Sequence, residues 1–386
     1  MQIAQAVFRA SGDSSRELAM LAKQMAQPDL VLVFGSIERL KSLAAALAEV
    51  FPLARRIGCS TAGEISTEGV TDDCCVLTVV RFEKISLTEV STQLARMEDS
   101  LAAGRRLAEL VPKVGLRAVL LFGQGILING SALLAGVTEI LGDEVPVTGG
   151  LAGDGGAFRQ TWVLDEHGLG DRTIVALGLY GEGLVFRHGS YGGWSPFGPA
   201  RKVTRCDGNV LYELDGEAAL DIYKRYLGSY AKDLPASGLL FPFSMLGRDH
   251  NAIGLIRTIM AVDERDGSLT LAGEVDPDGY LKLMHASTDA LVNGAEMAAE
   301  AAHTMSGSVG GNGGEGKRLA LLVSCVGRKL VMGERVEEEV EAVCDVFGQN
   351  TVCAGFYSYG EISPFCPGVE CKLHNQTMTV TIIGEA

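Results

Sequence analysis

The sequence predicts an α/β fold of repeated strand–helix–strand units with mixed sheets, divided into two domains. Three observations predict it. First, the stretches LVLVFGSIERLKSLAAALAEVFPLARRIGCSTAGEIS (30–66), AVLLFGQGILINGSALLAGVTEILGDEVPVTGGLAGDGG (118–156) and LALLVSCVGRKLVMGERVEEEVEAVCDVFGQNTVCAGFYSYGEIS (319–363) share one order of parts. Each opens on an apolar run of buried-strand length and passes through a polar or Gly-bearing loop into a helical period. Each then returns through a second apolar run to a Gly-rich loop. Second, the first and third stretches end on the same word, GEIS. Third, 386 residues exceed the roughly 150 expected of one domain.

Taken in chain order, Leu40, Leu43, Leu47 and Val50 fall on one face of the first helix. A strand–helix–strand unit makes a right-handed crossover between parallel strands. That places the Gly-rich loops at strand ends, where α/β ligand sites form. Residues 160–190 differ: TIVALGLYG and LVFRHGS read as strands joined by short turns. GNVLYELDGEAALDIYKRYLG (208–228) reads as a hairpin-like strand leading into a helix, and 251–275 as apolar runs around a DG turn. The domain boundary is placed at Asp215 or Gly216, giving domains 1–215 and 216–386. GSVGGNGGEGK (307–317) reads as a flexible loop. In the third unit Val336, Val340, Val343 and Phe347 share a face, with Glu337, Glu338, Glu339 and Glu341 assigned to other faces.

Apolar residues at 47% and charged residues at 21% exclude a mostly disordered chain. A formal charge of −15 opposes general binding to nucleic acid or acidic membrane surfaces. No run approaches the roughly 18 apolar residues of a membrane span. The start, MQIAQAVFRASGDSSRELAM, lacks the basic segment and long apolar run of a signal peptide. Nine cysteines, an odd number, then suggest reduced thiols in the cytoplasm.

Six separated motifs resemble those of FIST sensory proteins, which have an amino-terminal and a carboxy-terminal FIST region. They are IGCSTAGEI (57–65), GGLAGDG (149–155), GGWSPFGP (192–199), LYELDG (211–216), CAGFYSYGEISP (353–364) and CKLHNQTMTV (371–380). They cover nearly the whole chain in family order. The resemblance implies a sensory module for a small ligand, and no output domain is visible beside it. A stand-alone chain of this length is similar to the NosP class, which implies haem, nitric oxide sensing, a partner histidine kinase and an influence on biofilm behaviour. The alternatives are a FIST sensor of another small ligand, such as an amino acid, without haem, and an enzyme using Cys59 or Glu64 and Glu361.

Haem iron most often takes a histidine nitrogen. His285, between a strand and a helix starting near Thr288, is the first candidate cofactor and metal ligand. The family pattern carries an Arg at this position, so the histidine departs from it. His374, His188 and His250 are the further cofactor candidates, with His167 and His303 behind them; the alternative for each is a structural or surface histidine. Cys366, Cys371 and His374, with Cys353, could supply zinc donors, against the simpler reading of buried thiols. Cys59 is a candidate nucleophile, or part of a backbone cradle. Glu64 and Glu361 hold equivalent positions in the GEIS words: either they form an acid–base pair at one interface, or they bond loop amides. GGLAGDG is no P-loop, since no GK[ST] follows, and Leu281–Met284 reads as core.

Overall fold

The structure is a computed structural model describing residues 1–9, 12, 14–305, 317–364 and 371–386. The first repeat folds into β1 (Gln2–Phe8), α1 (Ser14–Gln24), β2 (Leu30–Gly35), α2 (Ile37–Val50), β3 (Arg55–Ser60), the hairpin β4–β5 (Glu64–Ser66, Gly69–Thr71) and β6 (Cys75–Arg81). The second gives β7 (Ser86–Gln93), α3 (Ser100–Leu110), β8 (Leu116–Gly123), α4 (Gly130–Leu141), β9 (Val147–Leu151), the hairpin β10–β11 (Val163–Asp165, Gly168–Gly170) and β12 (Thr173–Tyr180). The third starts with β13 (Leu184–Tyr191) and is then interrupted. The insertion holds β14 (Ser195–Pro196), β15 (Arg201–Asp207), β16 (Val210–Leu214), β17 (Glu217–Ala218), α5 (Ala219–Leu227), β18 (Phe243–Leu246), β19 (Ala252–Arg257), β20 (Ile259–Asp263), β21 (Ser268–Leu271) and β22 (Tyr280–His285). The third repeat resumes with α6 (Thr288–Thr304), β23 (Arg318–Cys325), α7 (Val326–Met332), α8 (Glu337–Phe347), β24 (Thr351–Ser358), the hairpin β25–β26 (Gly360–Pro364, Cys371–His374) and β27 (Met378–Glu385).

Among the described residues the repeats form three six-stranded sheets of one design, and the insertion forms a nine-stranded sheet. The orders are β1-β6-β2-β3-β10-β11, β7-β12-β8-β9-β25-β26 and β13-β27-β23-β24-β4-β5. Each has a central parallel pair, β2/β3, β8/β9 or β23/β24, as the crossover predicts. Each also ends in a hairpin lent by another repeat. The hairpin of repeat one pairs with β24, that of repeat two with β3, and that of repeat three with β9. The three repeats are thus interlocked and not stacked side by side.

Burial on both faces explains the unbroken apolar runs. One face of each sheet turns into a shared core, where Phe34, Phe122 and Phe356, one from each sheet, meet with ring centroids 4.7, 5.5 and 6.0 Å apart. The other faces are covered by helix pairs, α1/α2, α3/α4 and α6/α8. Leu40, Leu43 and Leu47 are buried as the period predicts, and Val50 packs half-buried beside them. Val340 and Val343 do the same in α8, but Glu339 is a correction: it is fully buried. The position read as the domain boundary, Asp215–Gly216, is a turn with φ of 51° and 82° between β16 and β17, inside the inserted sheet. The stretch 307–317 lies, apart from Lys317, outside the described residues.

The parallel pairs depend on three equivalent glycines. A Cβ on Gly58, Gly149 or Gly355 would stand 1.8, 2.0 or 1.8 Å from the carbonyl oxygen of Val33, Leu121 or Leu322 on the paired strand. A backbone oxygen cannot rotate away, so a methyl there must separate strands that are packed on both faces. Gly58→Ala is expected to cost about 3 kcal/mol or more of unfolding free energy, measured by urea denaturation. A loss under about 1 kcal/mol would show that the pair relaxes freely.

Candidate functional site

The loops leaving β3, β9 and β24 emerge at one end of the shared core and are tied in a cycle. Ala62 N–H donates to the Tyr357 carbonyl (2.8 Å), Tyr359 N–H to Leu151 (3.1 Å) and Gly153 N–H to Ser60 (2.8 Å). The donors are equivalent residues of the three repeats, and so are the acceptors.

The second repeat adds a longer loop here. The Asp154 carboxylate accepts from the backbone N–H of Phe158 (2.8 Å), Arg159 (2.7 Å) and Gln160 (3.0 Å), folding residues 154–160 over it. The Tyr359 hydroxyl also donates to Asp154, and its ring stacks on Phe158 at 4.3 Å. Burial and the adjacent Asp154 carboxylate raise the Tyr359 phenol, so it stays protonated and remains a donor.

Three cavities surround this loop. One of about 600 Å³ is lined by Gly156, Phe158, Leu330 of α7, the 234–240 segment, and Ile259 and Met260 of β20. Its polar groups include Tyr230, Asp233 and Ser237. A second, of about 360 Å³, is polar and lies at the start of α2, bounded by Ser36, Lys41, Glu64, Asp72, Asp154 and Arg159. A third, of about 210 Å³, is reached on the Tyr359 side of Phe158. A fourth, of about 340 Å³, lies apart from the loop, between α4, β19 and β26. The Gly-rich loops therefore stand at sheet ends beside cavities, as the repeat pattern predicts.

Glu64 and Glu361 are structurally equivalent but do not meet. Glu64 lies opposite Phe356 in the third sheet, Glu361 opposite Gly150 in the second. Glu64 accepts from Thr61 Oγ1 (2.5 Å) and Cys74 N–H (3.2 Å). Glu361 accepts from Ser358 Oγ (2.7 Å), Thr377 N–H (3.2 Å) and Thr377 Oγ1 (3.1 Å). Burial pushes Glu64 up to about 7 and Glu361 up to about 8. Cys59 is fully buried in the shared core, and burial holds its thiol protonated, which removes it as a nucleophile.

His285 stands exposed at the end of β22, opposite Ser195, with its ring 5.6 Å from Phe197. His374 is buried, with Nε2 2.8 Å from the Ser363 carbonyl oxygen. His188 is buried on β13, and its Nδ1 has no hydrogen-bond partner among the described residues. Burial lowers both His188 and His374 to about 4, so both are neutral. His250 sits in a turn at φ 64° with its ring 3.9 Å from Tyr280. His167 and His303 are exposed. None of these histidines lines any of those four cavities.

Cys353, in the third sheet, lies with its Sγ 2.9 Å from Cys344; Cys371 donates to the Val147 carbonyl within the second sheet; and Cys366 is outside the described residues. Among the described residues no three His, Cys, Asp or Glu side chains group as a metal site. Sequence reasoning placed GGLAGDG among the Gly-rich loops at strand ends and missed that its Asp154 organises the loop. The Asp–Gly step carried that signal, but Tyr359 is distant in sequence.

The FIST N domain matches residues 29–217 and the FIST C domain residues 219–364. An uncharacterized protein of Methanocaldococcus jannaschii is 25% identical over 228 residues, 55% of this chain and 43% of that one. The chain thus spans under half of that relative's length. Among solved structures, cyanuric acid hydrolase from A. caulinodans aligns over 100% of this chain and 99% of its own at 11% identity and a TM-score of 0.36. Another cyanuric acid hydrolase structure aligns over 100% and 99% at 12% identity and a TM-score of 0.34. At such scores the likeness transfers no activity. The two matches follow one another from residue 29 to residue 364, and the protein belongs to the FIST family, with both a FIST N and a FIST C domain.

Proposed function

We propose that this FIST protein is a sensor of a small, largely apolar molecule bound in the cavity of about 600 Å³. The observation behind this is where the cavity lies. One wall is the Asp154-organised loop, another is α7, and the rest is the inserted sheet with its 3-10 segments. A ligand there touches all three at once, so occupancy biases how they sit, as a sensor requires. The lining is mainly apolar, while Tyr230, Asp233 and Ser237 supply a few orienting polar groups.

Haem, nitric oxide detection and delivery to a histidine kinase form one linked reading, which in its His285 form places a histidine beside the bound ligand. None of these four cavities is lined by one. The sensed molecule is therefore proposed to bind without an iron–histidine bond.

The test is a metabolite panel read by thermal shift. A true ligand at a hundred times its Kd adds about 2.7 kcal/mol of stability. Ala236 is exposed at the cavity rim, so Ala236→Trp plugs the space without disturbing the core. The ligand-induced shift is expected in the wild type and absent from the variant. A shift that survives Ala236→Trp, or a histidine-type Soret band with added haemin that is lost in His285→Ala, would overturn the proposal.

A further inference from the structure

We propose that the cavity of about 340 Å³ between α4, β19 and β26 is a second binding site, for a small monocarboxylate held by Arg257 and Ser131. Two buried arginines invite comparison. Arg328 is fully buried and faces the Glu339 carboxylate at 2.8 Å. Arg257, at the end of β19, is 3% exposed yet forms no ion pair among the described residues. Its Nε donates to the Glu274 carbonyl (3.0 Å), and its Nη1 to those of Ile256 (3.1 Å) and Leu373 (3.2 Å). These bonds orient the guanidinium but do not neutralise it, and its Nη2 has no protein acceptor among the described residues. The Glu274 carboxylate favours its charge from the cavity edge without forming an ion pair, and a buried cation with no paired carboxylate is costly. Burial lowers it only to about 10, so it stays charged at neutral pH.

Ser131 supplies the independent observation. Its Oγ is buried, lines the same cavity and has no partner among the described residues. Both groups also pack against one point of the backbone, Gly273, where a Cβ would stand 2.8 Å from Arg257 Nε and 3.1 Å from Ser131 Oγ. An unneutralised guanidinium and an unused hydroxyl around one space fit a carboxylate, with one oxygen accepting from Nη2 and the other from Ser131. Leu134, Met245 and Leu255 form apolar walls for the rest of the ligand. The carboxylates of Glu274 and Asp276 stand at the edge, Glu274 bonded to Asn129 Nδ2 at 3.2 Å. Lys372 also lines the cavity, so two cations face two carboxylates there, and phosphate or a tricarboxylate would bring more uncompensated negative charge than a monocarboxylate.

The experiment is calorimetric titration of the full chain with sodium benzoate, with sodium phosphate as the control. Benzoate is expected to bind and phosphate not. Arg257→Gln is expected to weaken benzoate roughly 10- to 100-fold, the worth of a hydrogen bond to a charged group. Ser131→Ala is expected to weaken it less. Because Arg257→Gln also strips donors from three carbonyls, circular dichroism must show it folded. If it is not folded, the decision passes to Ser131→Ala and to Ala135→Trp, an exposed position that closes the cavity while leaving Arg257 in place. No benzoate binding, phosphate binding as well as benzoate, or unchanged affinity in Ser131→Ala and Ala135→Trp each overturns the site. Ala236→Trp, which plugs the other cavity, is expected to leave benzoate binding unchanged, so the two proposals fail separately.

Discussion

Glu339→Gln is expected to destabilise the protein by about 3–5 kcal/mol, the cost of leaving a buried charge without its partner. Arg328 and Glu339 are both fully enclosed. The guanidinium donates through Nε (3.0 Å) and Nη2 (2.8 Å) to Glu339 Oε2, to the Leu291 carbonyl (2.8 Å), and through Nη1 to the Gly192 carbonyl. The other carboxylate oxygen accepts from Ser324 Oγ (2.9 Å) and the Tyr357 hydroxyl (2.7 Å). The pair therefore joins α7, α8, β23, β24, α6 and the turn after β13. Arg328→Met is expected to be as damaging, since it leaves the carboxylate in the same apolar surroundings. The double variant Arg328→Met/Glu339→Gln is expected to lose clearly less than the sum of the singles, because no unpaired charge remains. Urea denaturation of the four proteins measures this. Additive losses would mean that the pair contributes only packing.

Raising the pH from 6.5 to 8 is expected to weaken the fold, and Glu361→Gln to remove part of that loss. Burial lifts Glu361 to about 8 and both Glu64 and Glu89 to about 7, from an ordinary 4.5. Over this window the folded state holds protons that the unfolded state has already released. Stability then falls as pH rises, by up to about 1.4 kcal/mol per pH unit for each such group. Between 4.5 and 6.5 the slope is gentler. There His188 and His374, lowered to about 4 by burial, bind protons only when unfolded and so add stability as pH rises toward 6.5. Glutamine mimics the protonated carboxyl and keeps a partner for Ser358 and Thr377. Its urea midpoint is expected to vary less between pH 6.5 and 8 than that of the wild type, and equal pH profiles would show that Glu361 is ionised in the fold.

Local pattern alone determined the three units, their apolar strands and the apolar faces of α2 and α8. Such features depend on residues a few positions apart, whose period is written in the chain. Even the placement of Gly-rich loops at sheet ends follows from chain direction in a crossover. Only the tertiary structure decided which sheet each hairpin joins. A GEIS hairpin has the same local pattern whichever repeat receives it, and its place is fixed by packing on the receiving sheet, Ile65 under α6 and α8 and Ile362 under α3 and α4. The same holds for charge. Glu339 stands among exposed glutamates in sequence and is buried because Arg328, eleven residues away, turns in to meet it. Arg257 carries no local mark, and its enclosure by Leu373 and Glu274 exists only once the inserted sheet lies against the second sheet. Burial of an ionisable group is a balance between desolvation and partners brought from distant segments, so it is decided by the packed chain and not by the residues beside it.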